Sequence, residues 1–220
     1  MQFVYHPSSG QETLRIDGET YNYIFKVRRH KRGEIIPFRN MRDGWLYYYR
    51  IDEVDRKRAL LTLVDKELKE IKPSKYFHLI WCVIDPKSIE KTLPALNELG
   101  VGKITFVYCD RSQKNFKLRF EKLQKILINS SQQCGRSDLM ELELMESLEG
   151  VVQRYGDVVL IDFCEEKLKS ADNISRALIG PEGGVSEDER KRFEKILGLD
   201  TPLVLRSETA AVGVSAKVLL

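Results

Sequence analysis

The sequence lacks long hydrophobic runs, cysteine pairs and a signal-like amino terminus. No apolar stretch of the 220 residues approaches the roughly 20 that a membrane-spanning helix requires. The amino terminus has no basic start followed by an apolar region, so we expect no signal peptide. The cysteines form no C-x-x-C pair, and we expect them to be reduced packing residues: Cys82, Cys109, Cys134 and Cys164. These absences predict a cytoplasmic protein without a membrane segment or a metal.

The chain also lacks a strong net charge, because 36 Lys and Arg residues oppose 33 Asp and Glu residues. Its hydrophobic fraction of 42% excludes a disordered chain. The small basic excess is concentrated between Lys26 and Arg42, where seven basic residues face Glu34 alone. Aromatic residues such as Tyr23 lie among them. This combination fits a surface that meets phosphates and stacks bases, although a solvated basic face beside a β core would have the same composition.

The amino-terminal segment has the pattern of a small β-barrel. Short strand-like runs are predicted at Gly33–Phe38, Trp45–Ile51 and Arg58–Val64, with an Asp-Gly hairpin turn at Asp43-Gly44. The charged segment Lys66–Ser74, which ends in Pro-Ser, is the candidate linker. We therefore predict one domain over residues 1–70 and a second over residues 74–220.

The second segment alternates strands and helices, which is typical of an α/β fold with a mostly parallel sheet. The predicted strands are Phe77–Ile84, Lys103–Tyr108, Val158–Phe163, Ala177–Ile179 and Pro202–Leu205. The predicted helices are Ser88–Leu99, Leu118–Gln133, Ser186–Leu197 and Ala210–Leu220.

The most informative stretch is the glycine-rich sequence GPEGG at residues 180–184. It follows a short apolar strand and precedes a capping box, with Ser186 as N-cap and Glu189 three residues later. Glycines let a ligand lie against main-chain groups, and ligands of α/β sheets bind beyond the carboxyl ends of strands. The loop is neither G-x-G-x-x-G nor a Walker A sequence. A tight turn that uses glycine only for its geometry remains the simpler alternative.

A second candidate binding loop has the sequence LRSETAAVG at residues 205–213. It follows the short run Leu203-Val204-Leu205 and opens a helix of small residues. Charged and hydroxyl side chains at a strand end favour ligand binding. The simpler alternative is a surface ion pair between Arg206 and Glu208 before a core helix.

These two loops together resemble the RsmE family of SPOUT-class 16S rRNA uridine-N3 methyltransferases. GPEGG followed by S-E-D-E, with LRSETA about twenty residues later, carries most of the resemblance. The sequence of residues 97–101 is similar to the family's T-E-L-G-V, that of 110–112 to its E-R-S, and that of 133–136 to its Q-S-G-R. Val27-Arg28-Arg29 with Gly33 and Glu34 resembles its V-L-R…G-D. The chain departs from the family pattern at Tyr23, Ala95 and Asn129.

The resemblance implies a fold, a cofactor and partners. We expect an amino-terminal PUA-like barrel, a carboxyl-terminal SPOUT α/β domain with a deep trefoil knot, and a homodimer. The implied cofactor is S-adenosylmethionine. The implied reaction is methylation of N3 of one uridine of 16S rRNA in the small ribosomal subunit, number 1498 in conventional numbering. Its N3 edge must be unstacked to react.

The resemblance also assigns candidate site residues. Cofactor contacts are expected from Ile161, Ile179, Gly180, Pro181, Glu182, Gly183, Gly184, Leu205, Arg206, Glu208, Thr209 and Ala210. Arg206 and Arg136 are candidates to stabilise negative charge on the uracil ring, Arg136 across the dimer, and Glu182 or Glu208 is a candidate proton acceptor. RNA contacts are expected from Lys26, Arg28, Arg29, Lys31, Arg32 and Arg111.

Two other functions remain open from the sequence. Another SPOUT enzyme, acting on a ribose 2′-hydroxyl or a tRNA base, would share the fold and the cofactor. A non-catalytic RNA-binding assembly factor would keep the basic segment but would not need complete cofactor loops. The two motifs GPEGG and LRSETA are both complete in this chain, which favours an enzyme.

Overall fold

The structure, a computed structural model, describes residues 2–170 and 172–220. Its internal contacts divide the chain into two units. The first takes in the residues up to Lys72 together with Ile128–Leu139, and the second takes in Pro73–Leu127 and Met140–Leu220. The predicted domain ranges had not assigned residues 128–139 to the first unit.

The first unit is built on a curled five-stranded sheet. Its strands are β1 (Val4–Tyr5), β2 (Thr13–Ile16), β3 (Ile35–Arg39), β4 (Trp45–Val54) and β5 (Ala59–Leu68), in the order β1-β3-β4-β5-β2. All pairs are antiparallel except β1 with β3. Helix α1 (Gly18–Tyr21) and a π-helical turn (Asn22–Val27) connect β2 to β3. Phe38, Tyr49 and Leu61 are fully buried in its core, as alternation along the strands requires.

The predicted hairpin is present between β3 and β4. The Asp43 carboxylate accepts hydrogen bonds from the Trp45 amide at 3.1 Å, the Tyr47 hydroxyl at 2.8 Å and the Asn40 side chain at 2.7 Å. Strand β5 runs four residues past the predicted end at Val64, to Leu68. The candidate linker at Lys66–Ser74 was therefore wrong in its first part, because those residues pair with β4.

The second unit contains a six-stranded parallel sheet. Its strands are β6 (His78–Cys82), β7 (Lys103–Val107), β8 (Glu141–Met145), β9 (Val159–Ile161), β10 (Arg176–Ile179) and β11 (Lys195–Leu197). Their order is β11-β9-β10-β6-β7-β8. The helices are α2 (Pro86–Leu99), α4 (Leu148–Tyr155), α5 (Glu187–Arg190) and α6 (Ser207–Leu219). Helix α3 (Phe120–Cys134) is divided between the units, because its residues from Ile128 onward belong to the first. Every residue of β6 is buried, which confirms the reading of its apolar run as an interior strand.

The start and the end of helix α2 have the residues that helix-capping preferences favour. Asp85 caps its first turn by accepting from the Lys87 amide, and Pro86 occupies the first helical position. Gly100 ends it in the left-handed region at φ +99°, as predicted. Pro94 lies inside the helix.

Two predicted elements near the carboxyl terminus were wrong. The helix at Ser186–Leu197 has a capping box as predicted, but it ends at Arg190, and Lys195–Leu197 form strand β11. The chain leaves the helix because Phe193 packs into the core below the sheet. Pro202–Leu205 form no strand, and Leu203 and Val204 are exposed. Strand β8 and helix α4 were not predicted.

The expectation that all cysteines are reduced was also wrong. Cys82 and Cys109 form a disulfide, with their α-carbons 5.9 Å apart. Strands β6 and β7 are neighbours, so their carboxyl ends bring these two residues together despite a separation of 27 positions in sequence. Cys134 and Cys164 are not part of a disulfide within the described residues.

Candidate active site

A cavity lies at the carboxyl ends of three neighbouring strands of the parallel sheet. The chain leaves β9, β10 and β11 at the same edge, and β9 lies between the other two. Loops that follow parallel strands meet at this edge, which is where α/β proteins bind ligands. The first turn of α6 contributes to the same cavity.

The cavity is lined by apolar side chains and main-chain groups, with few charged side chains. It contains about 810 Å³ of empty space, part of which is open to solvent. Its lining residues are Leu160, Ile161, Asp162, Phe163, Lys167, Ile179, Gly180, Pro181, Glu182, Gly184, Val185, Gly198, Leu199, Thr201, Leu203, Val204, Leu205, Ser207 and Ala210. Among the residues that the structure describes, no cluster of three or more His, Cys, Asp or Glu is arranged to hold a metal ion.

The glycine-rich loop after β10 folds back tightly on itself. The Gly184 amide donates to the Pro181 carbonyl at 2.9 Å, and Gly184 has φ +70°, which favours glycine. The capping box of α5 then fixes the loop's far end, because Ser186 and Glu189 satisfy each other's main-chain amides. The loop therefore presents main chain to the cavity on a rigid base.

The part of the cavity wall that follows β11 requires glycine at position 198. Its amide donates to the Glu166 carbonyl at 2.7 Å, and its carbonyl accepts from the Leu168 amide at 2.8 Å. A β-carbon at this position would lie 2.6 Å from the Cys164 carbonyl oxygen, so no larger residue fits. Gly198 thus lets the loop after β9 pack directly against the loop after β11.

A buried hydrogen-bond chain joins the sheet, α6 and the glycine-rich loop. The indole Nε1 of Trp81, at the end of β6, donates to Ser207 Oγ at 2.9 Å. Ser207 Oγ in turn donates to the Gly180 carbonyl at 2.6 Å. Trp81 and Ser207 are both buried. This chain fixes the first turn of α6 against the floor of the cavity.

Residues 110–112, which follow β7, hold the glycine-rich loop from outside. The Asp110 carboxylate accepts from Ser186 Oγ at 2.6 Å, and the Asp110 amide donates to Glu189 Oε1 at 2.8 Å. Arg111 Nη1 donates to the Gly183 carbonyl at 2.6 Å. The Asp-Arg-Ser motif therefore orients the loop, although the sequence interpretation had placed Arg111 among the RNA contacts.

Arg190 joins the two sides of the cavity. Its guanidinium forms an ion pair with the Asp162 carboxylate, and its Nη2 donates to the Phe163 carbonyl at 3.0 Å. Arg190 ends α5, which follows the glycine-rich loop, whereas Asp162 and Phe163 follow β9. The loops after β9 and β10 are thus held together by one charged side chain.

The structure brings eight of the twelve predicted cofactor-binding residues to the cavity wall. They are Ile161, Ile179, Gly180, Pro181, Glu182, Gly184, Leu205 and Ala210. Gly183, Arg206, Glu208 and Thr209 adjoin the wall without lining it. No ion pair between Arg206 and Glu208 is present within the described residues, which leaves the exposed Arg206 guanidinium without that partner.

Arg136 has a different set of contacts. It belongs to the first unit, is 4% exposed, and donates to both carboxylate oxygens of Asp138 at 3.1 and 3.0 Å. It is not among the residues that line the cavity.

The predicted RNA contacts of the first unit form a basic surface. The side chains of Lys26, Arg28, Arg29, Lys31 and Arg32 are exposed. Arg28 donates to the Tyr23 hydroxyl through Nε and Nη2, at 3.2 and 3.1 Å, and lies over the Tyr23 ring. Arg29 has φ +61°, and the preceding turn is π-helical. Such turns are frequent at functional sites.

The strongest pKa shifts of the second unit lie at the opposite, amino-terminal ends of the strands. Burial, followed by the positive charges of Lys103 and Arg176, lowers the pKa of His78 to about 4. The pKa of Glu143 falls to about 2: burial opposes ionisation, but hydrogen bonds from Tyr155, Thr105 and Lys103 outweigh it. The residues of this network do not line the cavity.

Several wall residues were not predicted individually. Asp162, Phe163 and Lys167 follow Ile161, which had been predicted, but nothing in their sequence distinguishes them. Gly198 follows a strand that had been read as helix. Recognising β11 would have identified Gly198, because it then occupies the position after a parallel strand.

Comparison with known proteins agrees with this geometry. A family model described as an RNA methyltransferase domain matches residues 72–219. The chain is 45% identical to the ribosomal RNA small subunit methyltransferase E of Helicobacter pylori (strain ATCC 700392 / 26695), covering 98% of each chain.

Two solved structures share the fold. A Legionella pneumophila methyltransferase in complex with the cofactor SAM has a TM-score of 0.84 at 24% identity, over 98% of this chain and 95% of that one. The ribosomal RNA small subunit methyltransferase E of Neisseria gonorrhoeae, bound to S-adenosyl methionine, has a TM-score of 0.80 at 21% identity, with the same coverage. The family match and the H. pylori relative establish that this chain belongs to the RNA methyltransferase family, among the ribosomal RNA small subunit methyltransferase E proteins.

Proposed function

We propose that this protein is an S-adenosylmethionine-dependent methyltransferase that modifies N3 of one uridine of 16S rRNA in the small ribosomal subunit. The observation that carries the proposal is the glycine-lined cavity at the strand ends of a chain 45% identical to a ribosomal RNA small subunit methyltransferase E over its whole length. The complete loops distinguish an enzyme from a factor that only binds RNA.

The cavity suits the cofactor. Leu160, Ile179 and Leu205 offer apolar surface for an adenine ring, and the main chain around Gly180 and Gly198 offers hydrogen-bonding groups close to a ligand. A β-carbon at Gly198 would clash with the Cys164 carbonyl oxygen, and one at Gly180 would lie only 3.3 Å from the Gly184 main chain, so larger residues fit poorly at both positions. When bound, the cofactor supplies an electrophilic methyl group on a sulfonium.

The protein's contribution is to position the base, to accept the N3 proton and to stabilise the negative charge that develops on the uracil ring. Holding N3 in line with the methyl donor can lower the activation free energy by several kcal/mol without further activation of the methyl group. Arg206, exposed at the N-cap of α6, is proposed to stabilise negative charge on the uracil ring. Glu182 is proposed to accept the N3 proton, because it lines the cavity and is exposed, whereas the other lining carboxylate, Asp162, is paired with Arg190.

The finer fold and the partners are also part of the proposal. We propose that the curled sheet of the first unit is a PUA-like barrel that contacts RNA through its basic surface. The second unit is proposed to be a trefoil-knotted SPOUT domain that acts as a homodimer in the cytoplasm, where ribosomal subunits are assembled. The position of β11 on the far side of β9, followed by α6 packing back on α2, supports a knotted path.

The test is product analysis. Small ribosomal subunits without the methyl group are incubated with the protein and labelled S-adenosylmethionine, and the rRNA is digested to nucleosides for mass spectrometry. We expect label in N3-methyluridine and its loss in Arg206→Ala. Arg192→Ala, which removes an exposed arginine of the same unit outside the cavity, is the control and should retain activity. Label on a ribose would indicate another SPOUT reaction, and no transfer would refute the proposal.

A further inference from the structure

Three large apolar side chains of the cavity wall are exposed to solvent. Phe163 is 73% exposed, Leu203 69% and Val204 79%, and all three line the cavity. Single exposed apolar residues are normal on protein surfaces. Three at the opening of one cavity, one of them aromatic, indicate that this rim receives an apolar or aromatic group.

The Phe163 main chain is held in place although its ring is free. Its amide donates to the Asp162 carboxylate at 2.8 Å, and its carbonyl accepts from Arg190 Nη2 at 3.0 Å. Arg190 also pairs with the Asp162 carboxylate, so the three residues form a closed unit. A phenyl ring has only two side-chain torsions, so binding to it costs little conformational entropy once the backbone is fixed.

The proposed reaction requires the target uracil to leave its base stack. The N3 edge of a uracil is used in base pairing and is buried in a helical stack, so the base must be extruded before it can react. Extruded bases commonly regain their lost stacking on an aromatic side chain. The extruded base must also reach the mouth of the cavity that holds the methyl donor. Phe163 is the exposed aromatic residue on that wall among the described residues.

We propose that Phe163 is the platform on which the target uracil stacks while its N3 meets the methyl donor, an inference that rests on the proposed function. Leu203 and Val204 extend the apolar surface around it. Arg190 and Asp162 act as positioning residues, because they hold the Phe163 main chain and thereby fix where its ring lies at the cavity. This role would make Phe163 a determinant of substrate positioning and not of cofactor affinity.

The experiment compares Phe163→Ala, Phe163→Leu and Phe163→Tyr on methyl-free small subunits. Loss of the ring should lower kcat/KM for the subunit by about 5- to 150-fold, the range that corresponds to one base–aromatic stack. Leu keeps the apolar bulk but not the π-face and should resemble Ala, whereas Tyr should stay close to wild type. Tyr76→Ala removes an exposed aromatic residue of the same unit outside the cavity and should have no effect.

Two binding measurements separate the possible roles of the ring. Calorimetry should show an unchanged Kd for S-adenosylmethionine in all variants, and sedimentation should show an unchanged oligomeric state. A fluorescent pyrimidine analogue at the target position of an RNA fragment should be quenched on binding to wild type and Phe163→Tyr, but not to Phe163→Ala or Phe163→Leu.

Each contrary outcome has a definite meaning. A weakened cofactor Kd in Phe163→Ala would show that the ring contacts the cofactor, and a changed oligomeric state would show that it contacts a second copy. Wild-type kinetics for Phe163→Leu would show that only bulk matters. Any of these overturns the stacking role. If wild-type protein forms no N3-methyluridine, the proposed function fails, whereas normal product with an unaffected Phe163→Ala refutes only this inference.

Discussion

Ser207→Ala is the substitution that most directly tests how the cavity is held together. Ser207 Oγ accepts from Trp81 Nε1 and donates to the Gly180 carbonyl, so its removal leaves a donor and an acceptor without that partner. The Trp81 side chain is fully buried, and an unsatisfied buried donor costs about 1–3 kcal/mol. Gly180 is half-buried at the cavity wall, where water can replace the lost hydroxyl, so its contribution lies near the lower limit. We therefore expect a loss of about 2–4 kcal/mol in the free energy of unfolding.

The same helix provides a matched control. Ser215 is also buried, but its hydroxyl donates to the Ala211 carbonyl one turn back, within α6 itself. Ser215→Ala should cost less than about 1 kcal/mol, because that carbonyl keeps its helical hydrogen bond. Urea denaturation of both variants gives the comparison, and calorimetry tests whether Ser207→Ala also weakens S-adenosylmethionine binding. Equal destabilisation by the two substitutions would refute the reasoning.

A double-mutant cycle isolates the hydrogen bond itself. In a Trp81→Phe background the indole donor is already absent, so Ser207→Ala should cost less than it does in wild type. The difference measures the coupling between the two side chains. Strict additivity of the two losses would show that the hydrogen bond between Trp81 and Ser207 contributes no coupling energy.

Three further perturbations test other parts of the structure. The pKa of His78 is lowered to about 4 from 6.5, so between these values the unfolded state binds a proton that the folded state does not. This difference should contribute about 3 kcal/mol to the fall in the free energy of unfolding as pH drops from 6.5 to 4. His78→Gln should remove that contribution in urea denaturation, and parallel pH profiles of wild type and variant would contradict it. Arg190→Met should raise the Kd for S-adenosylmethionine about tenfold or more by calorimetry, because two charge-assisted contacts across the cavity are lost, while Lys191→Met should not. Replacing Arg28, Arg29 and Arg32 with Gln should weaken RNA binding and reduce its logarithmic salt slope by roughly 2 to 3, and an unchanged slope would contradict a phosphate-binding role.

The elements that could be predicted from the sequence are those whose burial is uniform or cleanly periodic. The run containing β6 is apolar throughout because both faces of the strand are covered. Helix α2 has its N-cap at Asp85 and its stop at Gly100. Strand β8 was missed because Glu, Leu and Met favour helices, although the alternation in its sequence, ELELM, is typical of a half-exposed strand at the edge of a sheet.

The errors near the cavity have a different cause. Lys191 to Leu197 continue the helical periodicity of α5, but tertiary packing of Phe193 and pairing of β11 with β9 outweigh it. Leu203 and Val204 look like a strand because they are apolar, yet their exposure belongs to the rim of the site. The assumption that every apolar run is buried fails at surfaces that bind ligands.

The candidate site could be located from the sequence but not assembled from it. GPEGG with its capping box identified the loop, because strand, glycines and N-cap occur in one continuous stretch. The contacts from Asp110, Arg111 and Trp81 could not be inferred, since they join residues more than 70 positions apart. Only the sheet order brings these residues to the same edge.

The central claim is that the cavity at the ends of β9, β10 and β11 holds the methyl donor. Ala210 lies on its wall in the first turn of α6, so Ala210→Phe should fill the cavity without removing any hydrogen bond. The most direct measurement is a calorimetric titration of S-adenosylmethionine into wild-type protein and Ala210→Phe, with circular dichroism and thermal unfolding to confirm that both are folded. We predict one binding site per chain in wild type and no binding heat in the folded variant. Equal binding by both proteins, or none by wild type, would contradict the claim.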